Sequence, residues 1–302
     1  MSEPRGYADT GDGPSLELAH YSDSEVSRTI AEFCNGRWVA AWLRDGSVVR
    51  WVEGRPLTIR SQADVLSMIS DRSRPPLRAV YATASRYQRL AERSDVFDDS
   101  NVVAVTPFWD VDNDPSLWRA TVEAARAVVD ELERLGVVKS VYVLWSGRGM
   151  HIRVNEGAIS PEVRSKIGPL DAAWALVESV KLRVQQRVEE IRLKFEAHGL
   201  RVDNEVKPRG LFSVPLSLHR SVDSVVVCVD PSELEEFDPS WASPGAYRSS
   251  DSWRRFEPGE ADDAVLRSHE VHGGYPLAGR RSRRRKEPPV DEMIRRWLDV
   301  EG

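Results

Sequence analysis

Phe108-Trp109-Asp110-Val111-Asp112, written FWDVD, is the stretch that decides how this chain folds. Successive side chains of a β-strand leave on opposite faces, so a strand here sends Asp110 and Asp112 to one side and Trp109 and Val111 to the other. Two carboxylates held side by side, with large apolar groups behind them, can ligate one or two Mg²⁺ or Mn²⁺ ions. The plainer alternative is two acids that finish a strand and open a turn. Asp114 reads differently, because Pro115 follows it and the pair forms a helix start, with Asp114 as the cap.

Working outward, residues 102–112 read as one strand. Val122, Ala125, Val129 and Leu132 then recur at helical spacing, and Gly136 stops that helix. A β run at 140–145, a glycine turn and a strand at 151–154 come next. A long helical region covers 170–198 and ends at Gly199, and β segments follow at 211–214 and 224–229. Upstream, residues 37–52 (RWVAAWLRDGSVVRWV) predict a hairpin turning at Asp45-Gly46, residues 62–72 a short helix and residues 79–82 a strand. Together these predict an α+β (mixed α/β) domain with a central sheet over residues 25–272. Residues 1–24, rich in Gly, Ser, Asp and Pro, read as a flexible leader. Residues 273–289 read as a basic, proline-containing linker. Residues 290–302 read as an amphipathic helix with Ile294, Trp297 and Leu298 on one face, expected either to dock on its own domain or to serve as a partner-binding peptide.

Composition narrows the class. The chain has 302 residues, 41% of them hydrophobic and 30% charged, and a net charge of −6. No stretch predicts a membrane span or a secretory leader. Cys34 and Cys228 are isolated, which fits a reducing compartment and excludes a disulfide framework. A net negative charge does not exclude nucleic acid, because the charges are segregated: residues 280–286 read RRSRRRK, whereas 230–238 and 257–263 are acidic. That basic run is either a contact for a nucleic-acid backbone or a solubilising linker.

Two further constellations are polar. Ser146-Gly147-Arg148-Gly149-Met150-His151 joins two β runs. Its glycines let backbone approach a ligand, exposed N–H groups can bind phosphate, Arg148 adds a charged fork and His151 a donor. A simple glycine hairpin is the alternative. Val214-Pro215-Leu216-Ser217-Leu218-His219-Arg220 gathers Ser217, His219 and Arg220 after a strand, suiting a triphosphate or template phosphate, or else forming a polar turn.

In that order, FWDVD, SGRGMHIRV and VPLSLHR resemble the three signature regions of the small, catalytic subunit of archaeal and eukaryotic replicative primases, within the archaeo-eukaryotic primase superfamily. NGRWVAAW, Pro56-Leu57 and PPLRAVYATASRY are similar to the N-terminal part of that subunit, so the resemblance spans residues 32–275. It implies an RRM-like catalytic sheet with an associated αβ unit, and a template-directed nucleotidyltransferase that makes or extends primers from NTPs or dNTPs by two-metal phosphoryl transfer. It further implies Mg²⁺ or Mn²⁺ as cofactor, a DNA template, a separate large subunit carrying an iron–sulfur cluster, and a cytoplasmic, nucleoid-associated setting. A polymerase of end joining or repair shares the same chemistry.

Carried over by position, Asp110 and Asp112 match the metal acids. Ser146, Gly147, Arg148, Gly149 and His151 match the nucleotide-binding turn, and Ser217, His219 and Arg220 match the region that contacts the incoming phosphates. Three departures stand out. The glycine turn is one residue shorter than in many relatives, and no Cys/His zinc cluster is present. The third metal acid, expected eight residues before Pro215, is replaced by Lys207. Asp203 is the expected substitute, with Glu205 the alternative. Lys207 also motivates a second reading, a degenerate relative that binds nucleotide or DNA as a scaffold.

Overall fold

The computed structural model describes residues 15–276; the basic tract, most of the expected linker and the C-terminal helix lie outside the described residues. Part of the expected leader is helix instead. Ser15 and Asp23 cap α1 (Leu16–Tyr21) and α2 (Ser24–Cys34), each side-chain oxygen accepting from N–H groups of the first turn. Tyr21 anchors α1: it is fully buried, and its hydroxyl donates to Arg78 O at 2.9 Å.

The hairpin at Asp45-Gly46 forms as β1 (Val39–Leu43) and β2 (Val48–Val49). A small pair, β3 (Trp51–Val52) and β4 (Arg55–Pro56), precedes α3 (Gln62–Ser70). β5 (Leu77–Thr83) then pairs antiparallel with β1, and β6 (Ser85–Tyr87) with β7 (Val102–Val105).

The single strand expected over 102–112 is two strands. β7 ends before Thr106-Pro107 and β8 (Phe108–Asp112) begins after it. Proline has no N–H to give a ladder, and here the chain leaves one sheet for another. Asp114 does cap the next segment, accepting from Ser116 N, but the first turn is 3₁₀ and α4 (Trp118–Arg134) starts after it. β9 (Val141–Trp145), β10 (Met150–Val154), α5 (Pro161–Ile167), the 26-residue α6 (Pro169–Lys194) and β11 (Arg201–Asn204) follow. Past them, β12 (Leu211–Ser213) returns to β5, β13 (Val227–Val229) pairs with β9, and α7 (Asp262–His272) packs on α6.

β8, α4, β9, β10, α6 and β11 form a βαββαβ succession whose strands lie in the order β11-β8-β10-β9, all antiparallel, with β13 added at the β9 edge. This is the expected RRM-like sheet; the second sheet, β12-β5-β1-β2, supplies the associated αβ unit. α4 and α6 cover one face of the RRM-like sheet. Trp109 and Val111 point into that layer with no exposure, and Trp109 Nε1 donates to Val177 O of α6 at 2.9 Å. Burying a Val111-sized side chain stabilises by about 1.5–3 kcal/mol. A buried ion pair pins the two sheets together. Arg37, just before β1, reaches Glu156, just after β10, at 2.7 Å, and its other nitrogen donates to Thr83 O and Ala84 O at 2.9 Å each.

Candidate active site

Register alone lines up the acids. In an antiparallel sheet, directly opposed residues project to the same face. Asp110 on β8 lies opposite His151 of β10 on one side and Asp203 of β11 on the other, and Asp112 lies opposite Arg201. Of the two alternatives for the third acid, Asp203 is therefore the one in the row. Glu205 lies beyond the end of β11 and takes Lys207 as its ion-pair partner. Neither Lys207 nor Asp203 lines the cavity described next, whereas Glu205 does.

A cavity of about 430 Å³ opens in front of this face, bounded on the far side by Tyr81 of β5 and by β12. Asp110, Asp112, Ser146, Arg148, Gly149, His151, His219 and Arg220 all line it, and so do Arg201 and Glu205. Asp203 stands beside it, tied to Arg201. Ser217 is not brought there. It is fully buried in the second sheet's packing, where its hydroxyl accepts from Val80 N at 2.7 Å and donates to Leu218 O at 3.0 Å. Gly147 does not line the cavity either. At φ +100 it packs against Ser224, so its part is to make the turn.

The glycine turn differs in detail from an open phosphate cradle. Ser146 Oγ already takes the Gly149 N–H at 3.2 Å, and Ser146 N donates to Gly149 O at 2.9 Å. What the turn offers is the exposed Arg148 side chain. Gly149 itself is required for close approach: a Cβ there would meet Val111 O at 2.5 Å.

No protein-family model and no curated protein matches this chain. Among solved structures it is similar to the polymerase domain from Mycobacterium tuberculosis ligase D in complex with DNA, with a TM-score of 0.50 at 18% identity, over 85% of this chain and 88% of that one. The fold is that of a polymerase domain. Within this polymerase-domain fold, the acids and the polar turns occupy the helix-free face of the RRM-like sheet. No helix among the described residues is long and apolar enough to cross a membrane.

The two histidines are fixed as donors. Arg153 NH2 lies 3.0 Å from His151 Nδ1. A guanidinium can only donate, so Nδ1 accepts and the ring proton sits on Nε2, 3.2 Å from Asp110 Oδ1. Arg153 is fully buried, stacked 3.9 Å from the Phe212 ring centroid and bonded to Ser213 O at 3.0 Å; burial pushes its pKa down to about 10. Burial works to raise the Asp110 pKa, but His151, Arg153 and Arg201 together hold it below the usual carboxylate value. His219 Nδ1 accepts from Ser221 N and Val222 N at 3.2 Å each, which again leaves the proton on Nε2. Arg78 braces that turn through His219 O at 2.9 Å and Val222 O at 2.6 Å.

Arg201 is the residue that sequence reasoning missed, although its position two residues before Asp203 puts it on the same strand face. It bridges the acids: NH2 lies 2.6 Å from Asp112 Oδ2 and Nε lies 2.9 Å from Asp203 Oδ2. Hydrogen bonding to Asp112, then its charge, raises the Arg201 pKa further. Among the described residues, no three His, Cys, Asp or Glu side chains converge as a ready-made metal cage. The donor set nonetheless fits a hard cation. Mg²⁺ and Mn²⁺ take carboxylate oxygen, and Asp110, Asp112 and Asp203 offer it on one face, with a guanidinium now neutralising two of the three.

Proposed function

We propose that this chain is a template-directed nucleotidyltransferase of the primase type, which makes or extends a primer from nucleoside triphosphates. One observation carries the reading: Asp110 and Asp112 share a single cavity with the donors His151, Arg148, His219 and Arg220, and Asp203 stands opposite Asp110 on the neighbouring strand. The similarity in fold to a DNA-bound polymerase domain supports DNA as the template.

Asp110 and Asp112, with Asp203, would hold Mg²⁺ or Mn²⁺, which supplies charge neutralisation of a triphosphate and a lowered pKa for the attacking hydroxyl. The chain's own groups do the rest. Asp110, kept ionised by its neighbours, is ready to bind a cation near neutral pH. The Nε2–H groups of His151 and His219 and the guanidinium groups of Arg148 and Arg220 present donors where phosphate oxygens gain charge. Phe108 and Phe212 give the cavity an apolar floor.

Primer-extension assays with labelled NTPs and dNTPs and Mn²⁺ test this reading. The Asp110→Asn, Asp112→Asn double variant, checked for fold by circular dichroism, is expected to lose incorporation by about 10³-fold, the equivalent of a few kcal/mol of transition-state stabilisation. Undiminished incorporation by the double variant sinks the mechanism. A second reading, a nucleotide- or DNA-binding scaffold without catalysis, draws on Arg201, which already neutralises two of the three acids. Tight binding of a labelled triphosphate with no incorporation on any template selects it.

A further inference from the structure

Arg201 has an unusual place for a cationic side chain. It is carried on β11 directly opposite Asp112 and two residues before Asp203, so the strand itself aims it at both acids. Its fork meets one carboxylate with each of two nitrogens, at 2.6 Å and 2.9 Å. Those contacts use Oδ2 of Asp112 and Oδ2 of Asp203, and a divalent ion bound to either carboxylate would lie only about 2.0–2.6 Å from its oxygens. Guanidinium and metal cannot share them, because two cations at such separation repel. The side chain is 63% exposed, so nothing buries it in this pose and it is free to leave. Asp110 has its direct ion-pair contact with His151 and feels Arg201 only through its charge.

We propose that Arg201 is a resident counter-cation, which a divalent ion must displace from Asp112 and Asp203, so that this residue sets the cation affinity of the site. In the empty state it relieves the repulsion between neighbouring carboxylates and keeps the acids aligned. It already lines the cavity that holds Arg148 and His151, so displacement leaves it within that cavity. The inference rests on the nucleotidyltransferase reading only in taking the acids as a cation site.

The test is Mn²⁺ binding without substrate, followed by loss of the free-ion electron paramagnetic resonance signal, on the full chain and on two variants at an exposed position that folding does not need. Arg201→Gln removes the charge and keeps a polar side chain. It is expected to bind Mn²⁺ about 2- to 30-fold more tightly, the range that two exposed ion pairs represent. Arg201→Lys keeps the charge without the two-pronged geometry, and its affinity is expected to fall between the other two. Equal or weaker binding by R201Q overturns the proposal, and so does an R201K affinity equal to that of R201Q. If neither the natural protein nor R201Q binds Mn²⁺ saturably, the metal-dependent function falls as well; equal, measurable binding removes only the role of Arg201.

Discussion

Replacing His219 by asparagine tests whether the site keeps a neutral imidazole in place. The ring is only 7% exposed, and burial first, then Arg220, Arg148 and Arg78, push its pKa from 6.5 down to about 4. The folded protein therefore refuses a proton that the unfolded chain accepts. Stability from this source is intact above pH 6.5 and drains away as the pH falls toward about 4. A shift of that size corresponds to about 3 kcal/mol at about 1.4 kcal/mol per pH unit, and water entering the open cavity reduces the expectation to about 1.5–2 kcal/mol. Asparagine Oδ1 can still accept from Ser221 N and Val222 N, yet it has nothing to protonate. Urea unfolding of both proteins at about pH 7 and about pH 4.5 measures the difference. The natural protein should lose about 1.5–2 kcal/mol more than His219→Asn on acidification. Parallel losses would show that His219 titrates normally and refute the reasoning.

Three other outcomes are expected. Gly149→Ala puts a Cβ at 2.5 Å from Val111 O, which should cost about 1–3 kcal/mol and depress incorporation by moving the turn off Asp112; an unchanged melting temperature contradicts the close approach. Glu156→Ala leaves the buried Arg37 charge uncompensated and should cost about 3–5 kcal/mol in urea unfolding, and a loss below about 1 kcal/mol would mean the pair does not pin the sheets. Long-range ¹H–¹⁵N spectra, assigned with His151→Gln, should find the His151 proton on Nε2, moving toward a tautomer mixture in Arg153→Met; a proton on Nδ1 in the natural protein rules out the donor arrangement.

The strand-borne acids were legible because alternation is a rigid rule: FWDVD has one arrangement as a strand, and Trp109 and Val111 are indeed buried behind Asp110 and Asp112. The caps at Asp114 and the turn at Gly46 were legible for the same reason, since each is decided within a few residues. What sequence could not supply was pairing. Asp203 is placed opposite Asp110 only by the register of β11 against β8, a contact across about ninety residues of chain. Ser217 looked like a ligand because it sits between functional neighbours, yet the Leu216 backbone at φ +60 turns the segment and sends its hydroxyl to Val80 N and Leu218 O. The break at Pro107 and the helix α1 had visible signals, a missing donor and a Ser15 cap, which the β-rich run over 102–112 and the Gly/Ser/Asp/Pro composition of 1–24 overrode.

The acids do not sit on equally firm ground. β8 is laced to a neighbour along each of its flanks, whereas β11 is an outermost strand of four residues, with one flank unpaired by any strand among the described residues. Its outward charges discourage another chain from pairing there, but they add no stiffness. Brief unzipping of β11 would carry Asp203 and Arg201 away together and break the Arg201–Asp112 ion pair, while Asp110 and Asp112 stay held on β8, so half of the site is an anvil and the other half a hinged jaw. Amide protons of β11 should then exchange with solvent well before those of β8.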